Sequence, residues 1–342
     1  MYAPLISVVM PVYNSERFVE VAVNSILAQT YQNIEIICVN DCSKDNSLAV
    51  LNSLAKKDER VVVVDSNVNV GAGEARNIGM AKANGEYITF VDADDTIDSD
   101  LYEKVVKKLE ETNADQAVWG LIEKYYTDSG KPTRTVPVIH EEAFVTNDEE
   151  MTKVILSLEN KLIFGYQWNS FYRADIIKNQ KIKFEKSILY EDFFFNLEFA
   201  KHMKTLAVLD CAGYNYFRRD NTSITHGFVK DYFDLSYRRI EEMYRFCADR
   251  GYDEQNLFDI LGNRLLRYTF SALSRNHNPL SKMSFSDIVK WSRNVADMEL
   301  YKELLPKCNA DNPAHKVLKV LISKKCAFCM AFIGKIVYVL KK

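Results

Sequence analysis

Three carboxylates, Asp92, Asp94 and Asp95, come directly after the apolar run Tyr87-Ile88-Thr89-Phe90-Val91. A run so rich in β-branched and aromatic residues reads as a strand in a sheet interior, and anions gathered at its carboxyl end are costly unless a cation neutralises them. Asp92 and Asp94 are two positions apart, so in extended geometry both side chains leave one face and can share an ion. Oxygen donors of this kind suit Mg2+ or Mn2+, with a substrate phosphate completing the shell. The competing reading is an acidic turn capping the next helix, since Asp98 and Ser99 precede Leu101 at N-cap spacing. A second acidic pair, Glu191-Asp192, opens a segment whose Tyr190, Phe193, Phe194 and Leu197 mark an apolar helical face. There the helix N-terminus favours the carboxylate form of Asp192, and the adjacent phenylalanines oppose it by desolvation. The sequence leaves the net sign open, and two acids at a helix start are also an ordinary N-terminal arrangement.

The elements that must position these groups follow from periodicity. Residues 5–95 alternate short apolar runs with helical spacing, the signature of βαβ units and a mostly parallel sheet. Strands are expected at 5–12, 34–39, 61–64 and 87–91. Between them lie a helix from about residue 15 burying Phe18, Ala22 and Ile26, a helix ending near residue 57, and one opened by Gly71-Ala72-Gly73 and stopped by Asn84-Gly85. Loops after successive parallel strands emerge on one sheet edge, where open α/β folds bind ligands. That edge collects Tyr13, Asn14, Asp41, Asp45, Arg76 and the acids at 92–95. Arg76, near the start of its helix, is placed to face a diphosphate together with backbone donors; a surface arginine paired with Glu74 is the alternative. Gly71-x-Gly73 does not make a dinucleotide fingerprint, because Arg76 occupies the third glycine position and the turn follows the third strand.

With 342 residues, 47% of them hydrophobic, the chain has core enough for two domains or a large domain with an appendage. A formal charge of −3 gives no global reason to expect nucleic acid as a partner. Seven cysteines without framework spacing point to a reducing compartment, and Cys326-x-x-Cys329 lacks the second pair or nearby histidine that a zinc site needs. The N-terminal apolar run, interrupted by Pro11 and lacking a basic region before it, reads as a strand and not as a signal peptide.

With these motifs assembled, the sequence resembles a family 2 glycosyltransferase of the GT-A fold, the inverting enzymes that use nucleotide-sugar donors. The resemblance rests on Ser7-Val8-Val9-Met10-Pro11-Val12-Tyr13-Asn14, Asp41-Cys42-Ser43-Lys44-Asp45-x-Ser47, Asn69-Val70-Gly71, Ala75-Arg76-Asn77-x-Gly79 and Phe90-Val91-Asp92-Ala93-Asp94-Asp95. It implies a Rossmann-like α/β nucleotide-binding domain with a mostly parallel central sheet, followed here by a helical C-terminal region. It also implies that Pro11, Val12, Tyr13, Asn14, Asp41, Arg76, Asp92 and Ala93 line a nucleotide-sugar site, with Tyr13 against the base and Asp41 accepting from a base N–H. Asp92 and Asp94 would hold Mn2+ or Mg2+ on the diphosphate, Asp94 as the more direct ligand. Asn40 and Cys42 depart from the pattern, where Asp and Gly are common. A rival is carried by Asp92-x-Asp94-x-Thr96, which resembles the opening motif of haloacid-dehalogenase-type phosphatases with Asp92 as nucleophile. Against it, three strands precede the motif and Asp95 fills a position where Gly is common.

Further along, 115–122 reads as a strand, 127–135 as a polar loop, and a helix starts at 147–150. Trp168-Asn169-Ser170-Phe171-Tyr172-Arg173 resembles the family's acceptor-side segment, with Trp168 either a sugar platform or ordinary core. Glu191-Asp192 resembles the family's Glu-Asp motif, which implies Asp192 as the catalytic base. Tyr214-Asn215-Tyr216-Phe217-Arg218-Arg219 and the Ser223-Ile224-Thr225-His226 that follows resemble the end of the catalytic domain, with Arg218 or Arg219 on the diphosphate and His226 a candidate third metal ligand. Helices are expected at 232–250, 254–276 and 284–296. The stretch 314–342 carries seven lysines and no acid; it is either a basic helix on an anionic membrane surface or a helix packed on the enzyme. The expected organisation is a catalytic domain at 1–228, divided into a nucleotide-sugar half at 1–98 and an acceptor half at 99–228, and a helical region at 229–342. The expected partners are a nucleotide-sugar donor, a UDP-sugar, and a glycan or lipid-linked acceptor. The expected location is cytoplasmic, at the inner face of the plasma membrane if the tail binds lipid. The non-enzyme rival is a membrane-surface protein retaining a nucleotide fold without catalysis.

Overall fold

The computed structural model describes residues 3–127, 130–219 and 228–340, in two compact units, Met1–Thr222 and Ser223–Lys342. In the first unit, strands Ile6–Val12 (β1), Ile34–Asn40 (β2), Val61–Asp65 (β3) and Tyr87–Phe90 (β4) form a parallel block in the order β3-β2-β1-β4. Helices Val19–Leu27 (α1), Ser47–Lys57 (α2) and Ala72–Met80 (α3) make the crossovers. β1 and β4 are buried at nearly every position, as central parallel strands covered on both faces must be. Val8 aligns with Ile36 on one side and Thr89 on the other, so the carboxyl ends of β1, β2 and β4 open at one edge.

Two helix ends differ from the expected ones, and side chains from neighbouring loops explain both. α1 begins at Val19 because the N–H groups of Ser15 and Glu16 donate to Ser47 Oγ (2.8 Å) and Asp45 Oδ2 (3.0 Å) instead of entering a helix. α3 stops at Met80 because Glu35 accepts from Asn84 N (2.7 Å) and Ser7 Oγ accepts from Gly85 N (2.8 Å).

The sheet continues with Thr96–Ile97 (β5), helix Leu101–Thr112 (α4), Gln116–Tyr126 (β6), Pro132–Val138 (β7) and Ala143–Val145 (β8). Helix Asp148–Asn160 (α5), strand Ser170–Arg173 (β9), helices Ala174–Gln180 (α6) and Glu191–His202 (α7), and the long strand Leu206–Arg219 (β10) complete the unit. β9 runs antiparallel to both β4 and β6, β10 runs parallel to β6, and β5 pairs antiparallel with β10. Residues 127–135 are not all loop: β7 pairs antiparallel with β6 from Val138 back to Pro132. Its side chains are mostly exposed, so backbone hydrogen bonding forms a strand that has no apolar alternation to announce it.

The second unit is helical: Tyr232–Ala248 (α8), Gln255–Arg275 (α9), Phe285–Asp297 (α10), Glu299–Leu304 (α11), Pro313–Ser323 (α12) and Ala327–Leu340 (α13). Ser284 and Asp287 form a reciprocal capping box that fixes the start of α10. The lysine-rich tail is two helices because Lys325 adopts φ 52°, a left-handed conformation that ends α12. α13 packs its Ala327, Met330, Ala331 and Gly334 face against α9 and α10, with Gly334 set directly on the backbone of Leu273.

Candidate active site

Arg76 of α3 is the centre of the site, and it is neither a surface residue nor a partner of Glu74. It is 5% exposed, and its guanidinium donates to Asp92 Oδ1 (2.9 Å), Glu191 Oε1 (3.0 Å) and Asp192 Oδ1 (3.2 Å). One buried cation thus joins the loop after β4 to the first turn of α7, whose Asp192 lies 116 residues beyond Arg76 in sequence. Gln167, fully buried, completes the junction: in the orientation that satisfies its neighbours, its oxygen accepts from Arg76 Nη2 (2.8 Å) and Nε (3.2 Å). Its nitrogen donates to Asp192 at 3.0 and 3.2 Å.

Packing brings these elements together. Asn77, next to Arg76, accepts from Phe184 N (2.8 Å) and donates to Phe184 O (2.9 Å), so α3 holds the segment that leads into α7. Phe184 stacks on Phe195 at 4.2 Å and meets Phe90 of β4 edge-on, and the Arg76 guanidinium lies 5.4 Å from the Phe184 ring centre. Gly73 makes room for the same approach, since a Cβ there would come within 2.9 Å of Glu191 Oε2 and 3.2 Å of Phe184 Cβ. α7 is buried around most of its circumference, and Tyr190, expected on its buried face, is instead its half-exposed N-cap at φ 66°.

The acidic loop has its own clamp. Asp95, without an assigned role from sequence, is 1% exposed and accepts from Tyr214 Oη (2.8 Å) and Phe217 N (2.9 Å) of β10. The same Tyr214 hydroxyl accepts from Asp92 N at 3.2 Å. Asp94 lies at the rim, its side chain 48% exposed, where Arg219 Nη1 donates to Oδ2 at 3.1 Å. Arg219 also lies 4.2 Å from the Phe18 ring centre. Arg218 is turned away from the acids, donating to Glu123 Oε1 and lying over Tyr216 and Tyr125.

On the nucleotide side, Pro11 and Val12 end β1, and Val12 O accepts from Asp41 N at 2.8 Å. The Tyr13 ring is 48% exposed at this edge, and Ala93 is buried within the acidic loop. Asn14 adopts φ 49° and its Oδ1 accepts from Lys44 N at 2.8 Å. Both Asp41 oxygens accept from backbone, Oδ1 from Val70 N (2.6 Å) and Oδ2 from Gly71 N (2.9 Å), and each keeps a further lone pair. The two departures from the family pattern have local accounts. Cys42 adopts φ 58°, a conformation that favours Gly, and Asn40 donates to Asp65 Oδ1 at 2.7 Å, where a second carboxylate would repel.

Trp168 and Asn169 are core, not a platform. Trp168, 3% exposed, stacks between Tyr214 (3.9 Å) and Tyr166 (4.4 Å), and Asn169 donates to the carbonyls of Trp119 and Ile163. Through its stack Trp168 supports Tyr214, whose hydroxyl meets the acidic loop. Ser223 and His226 lie outside the described residues.

Electrostatics follow from burial and crowding. Loss of solvent pushes Asp192 up to about 7, with Arg76 opposing and Glu191 and Asp92 adding to the rise. Glu191 is also raised, by desolvation against the pull of Arg76. Burial works against the charge of Arg76, but Asp192, Asp92 and Glu191 more than offset it and its pKa rises. Asp94 is raised by desolvation and then by Asp92, with Arg219 opposing. Asp95 is raised well above the usual carboxylate range by burial and by Asp94 and Asp92.

Among the described residues no three His, Cys, Asp or Glu side chains form a ready metal centre. Asp92 and Asp94 nevertheless fit a hard divalent cation that takes its remaining ligands from phosphate and water. Desolvation raises Asp94 most and the charge of Asp92 adds to it, and a bound cation relieves both.

A parallel β3-β2-β1-β4 block with acids at its carboxyl edge, extended by antiparallel pairings into a mixed sheet, defines the GT-A class of α/β fold. The family model described as Glycosyl transferase family 2 matches residues 7–180, just over half of the chain. The chain belongs to that family, and the phosphatase reading of Asp92 is set aside with it. It is 33% identical over 223 residues to the uncharacterized glycosyltransferase EpsJ of Bacillus subtilis (strain 168), covering 65% of this chain and 63% of that one. It is 33% identical over 231 residues to the poly(ribitol-phosphate) beta-glucosyltransferase of Bacillus spizizenii, covering 66% of this chain and 34% of that one. The chain thus spans between 34% and 63% of the length of these relatives. The crystal structure of S. aureus TarS 1-349 in complex with UDP matches with a TM-score of 0.66 and 21% identity, over 98% of this chain and 92% of that one, a likeness of fold. Enzymes of this family commonly use a divalent metal.

Proposed function

We propose that this protein transfers a sugar from a nucleoside-diphosphate donor, with UDP as the nucleotide, to a hydroxyl of a glycan or lipid-linked acceptor, inverting the anomeric carbon, in cell-surface polysaccharide synthesis. The observation that carries this reading is the Arg76 junction, which fixes a donor-side acid, Asp92, and an acid of raised pKa, Asp192, in one hydrogen-bonded unit. The acceptor oxygen attacks the anomeric carbon, the bond from that carbon to the diphosphate oxygen breaks, and the acceptor proton passes to Asp192 Oδ. A base with a pKa near neutrality is matched to that task. A divalent cation held by Asp92 and Asp94 would supply Lewis-acid stabilisation of the leaving diphosphate. Arg219, at the rim beside Asp94, is placed to take a phosphate oxygen; Arg218, turned to Glu123, is not. The exposed Tyr13 ring is a stacking surface for the base, and the free lone pairs of Asp41 can accept from a base N–H. The names of the relatives and the UDP bound to TarS support the donor class and the polysaccharide setting.

Calorimetry with UDP and Mn2+ tests the donor half, followed by a panel of nucleotide-sugars assayed for donor hydrolysis. Metal-dependent UDP binding is expected, retained in Asp192→Asn while turnover falls by roughly 10²–10⁴. No binding of any nucleoside diphosphate, with or without metal, would sink the reading.

A further inference from the structure

The outer face of α13 is apolar over its whole length. At about 100° per residue, Phe328, Phe332, Ile336, Val339 and Leu340 fall within an arc of about 120°, opposite the Ala327, Met330, Ala331 and Gly334 face that packs inward. The five outer residues are between 44% and 80% exposed. On α12, which packs beside α13, Val317 and Val320 are 52% and 50% exposed. Seven of the sixteen exposed large hydrophobic residues of the described chain therefore lie in its last two helices, and the other nine are spread along the rest of it. A face of this kind signals an occupant.

Charge identifies the occupant. The chain as a whole carries a formal −3, yet residues 314–342 carry seven lysines and no acid. Lys316, Lys324 and Lys335 are exposed and have no acidic partner among the described residues, whereas Lys325 pairs with Asp297 and Lys319 donates to Cys308 O. Lys335 stands at the edge of the apolar arc, beside Phe328 and Val339 on the helical wheel. A second copy of the chain would bring an acid-free, lysine-bearing face against itself, setting like charges together, which is unfavourable. A surface of anionic lipid headgroups complements them and accepts the apolar side chains below the headgroup plane. No helix among the described residues is long and apolar enough to cross a membrane, so such a helix lies in the interface.

We infer that the outer face of α13, flanked by the exposed valines of α12 and by Lys316, Lys324 and Lys335, docks the protein on an anionic lipid bilayer. Phe332, Ile336 and Val339 enter the boundary between headgroups and acyl chains, and the lysines stay at headgroup level. This inference does not depend on the sugar-transfer reading.

Cosedimentation of the full chain with vesicles tests it, using neutral phosphatidylcholine alone and phosphatidylcholine mixed with phosphatidylglycerol. Binding is expected to the mixed vesicles, weakened by salt and lower by roughly tenfold on neutral ones. The double variant Phe332→Ser/Val339→Ser changes two exposed side chains and should melt with wild-type temperature while losing most vesicle binding. Lys324→Glu/Lys335→Glu should lose binding with the apolar face intact, which separates lipid docking from a general loss of fold. Absent or equal binding to the two vesicle types, or unchanged binding by the Phe332→Ser/Val339→Ser variant, would overturn the proposal. A concentration-dependent dimer in ultracentrifugation that Phe332→Ser/Val339→Ser dissolves, with no vesicle binding, would assign the face to a second copy instead.

Discussion

At the scale of residues, the site turns on Asp192 and on what opposes its ionisation. The sequence placed two effects of opposite sign on that carboxyl; in the folded protein desolvation outweighs the Arg76 cation and leaves it near 7. If Asp192 must be ionised to accept the acceptor proton, the rate should rise with pH along an acidic limb centred near that value and then level off. Gln167 sharpens the test because its amide touches both Arg76 and Asp192. Replacing it with a carboxylate adds a like charge beside Asp192, which disfavours the ionised base. Gln167→Glu should therefore move the acidic limb to higher pH, whereas a residue that only fills space would lower the plateau and leave the limb in place. Gln167 was not legible in the sequence: it is a single amide before Trp168, with no periodicity or motif of its own.

At the scale of elements, β10 holds the acidic loop through Phe217 N, Arg219 and the Tyr214 hydroxyl, and only the hydroxyl reaches both Asp95 and Asp92. Tyr214 donates to Asp95 and accepts from Asp92 N, and Trp168 stacks beneath its ring. Tyr214→Phe keeps the stack and removes both hydrogen bonds, leaving a buried Asp95 oxygen and a backbone N–H short of a partner. A loss of about 1–3 kcal/mol in stability is expected. Metal-dependent UDP binding should weaken beyond what the stability loss alone explains, because Asp92 and Asp94 share that loop. Unchanged UDP affinity in a folded Tyr214→Phe protein would count against the clamp. The parallel block was legible because its strands are continuous apolar runs, and the family pattern located Arg76, Asp92 and Asp192 because those motifs are local. Trp168 was ambiguous because a sugar platform and a core stack need the same side chain. β7 does not show in the sequence because an exposed strand is built from backbone bonds, and the start of α1 does not show because Ser47 and Asp45 capture the preceding donors from across the edge. What stayed hidden was the pairing across sequence: Arg76 with α7, Asp95 with β10.

At the scale of the whole molecule, collecting these acids has a consequence for stability that is separate from activity. A carboxyl whose pKa is higher folded than unfolded binds more protons in the folded state between the two values, so stability falls as pH rises through that window. For Asp192 the window runs from the ordinary Asp value of 3.8 up to about 7, and above it the dependence flattens. One such group contributes a slope of up to about 1.4 kcal/mol per pH unit. Carboxyls held low elsewhere, such as Asp45 and Asp58, act in the opposite sense, but only at pH below the ordinary carboxylate range. Every other titrating group is common to wild type and variant, so the informative quantity is a difference between proteins. Asp192→Asn removes the titration and keeps the shape, so it should be the more stable protein at pH 8 by urea unfolding, with the gap shrinking as pH falls from 7 toward 5. UDP with Mn2+ should also raise the stability of the wild type, by about 2.7 kcal/mol at a hundredfold excess over Kd. A gap between wild type and Asp192→Asn that does not change with pH would show that Asp192 ionises in the folded protein as it does in the unfolded chain, and that the Arg76 junction, not desolvation, governs the site.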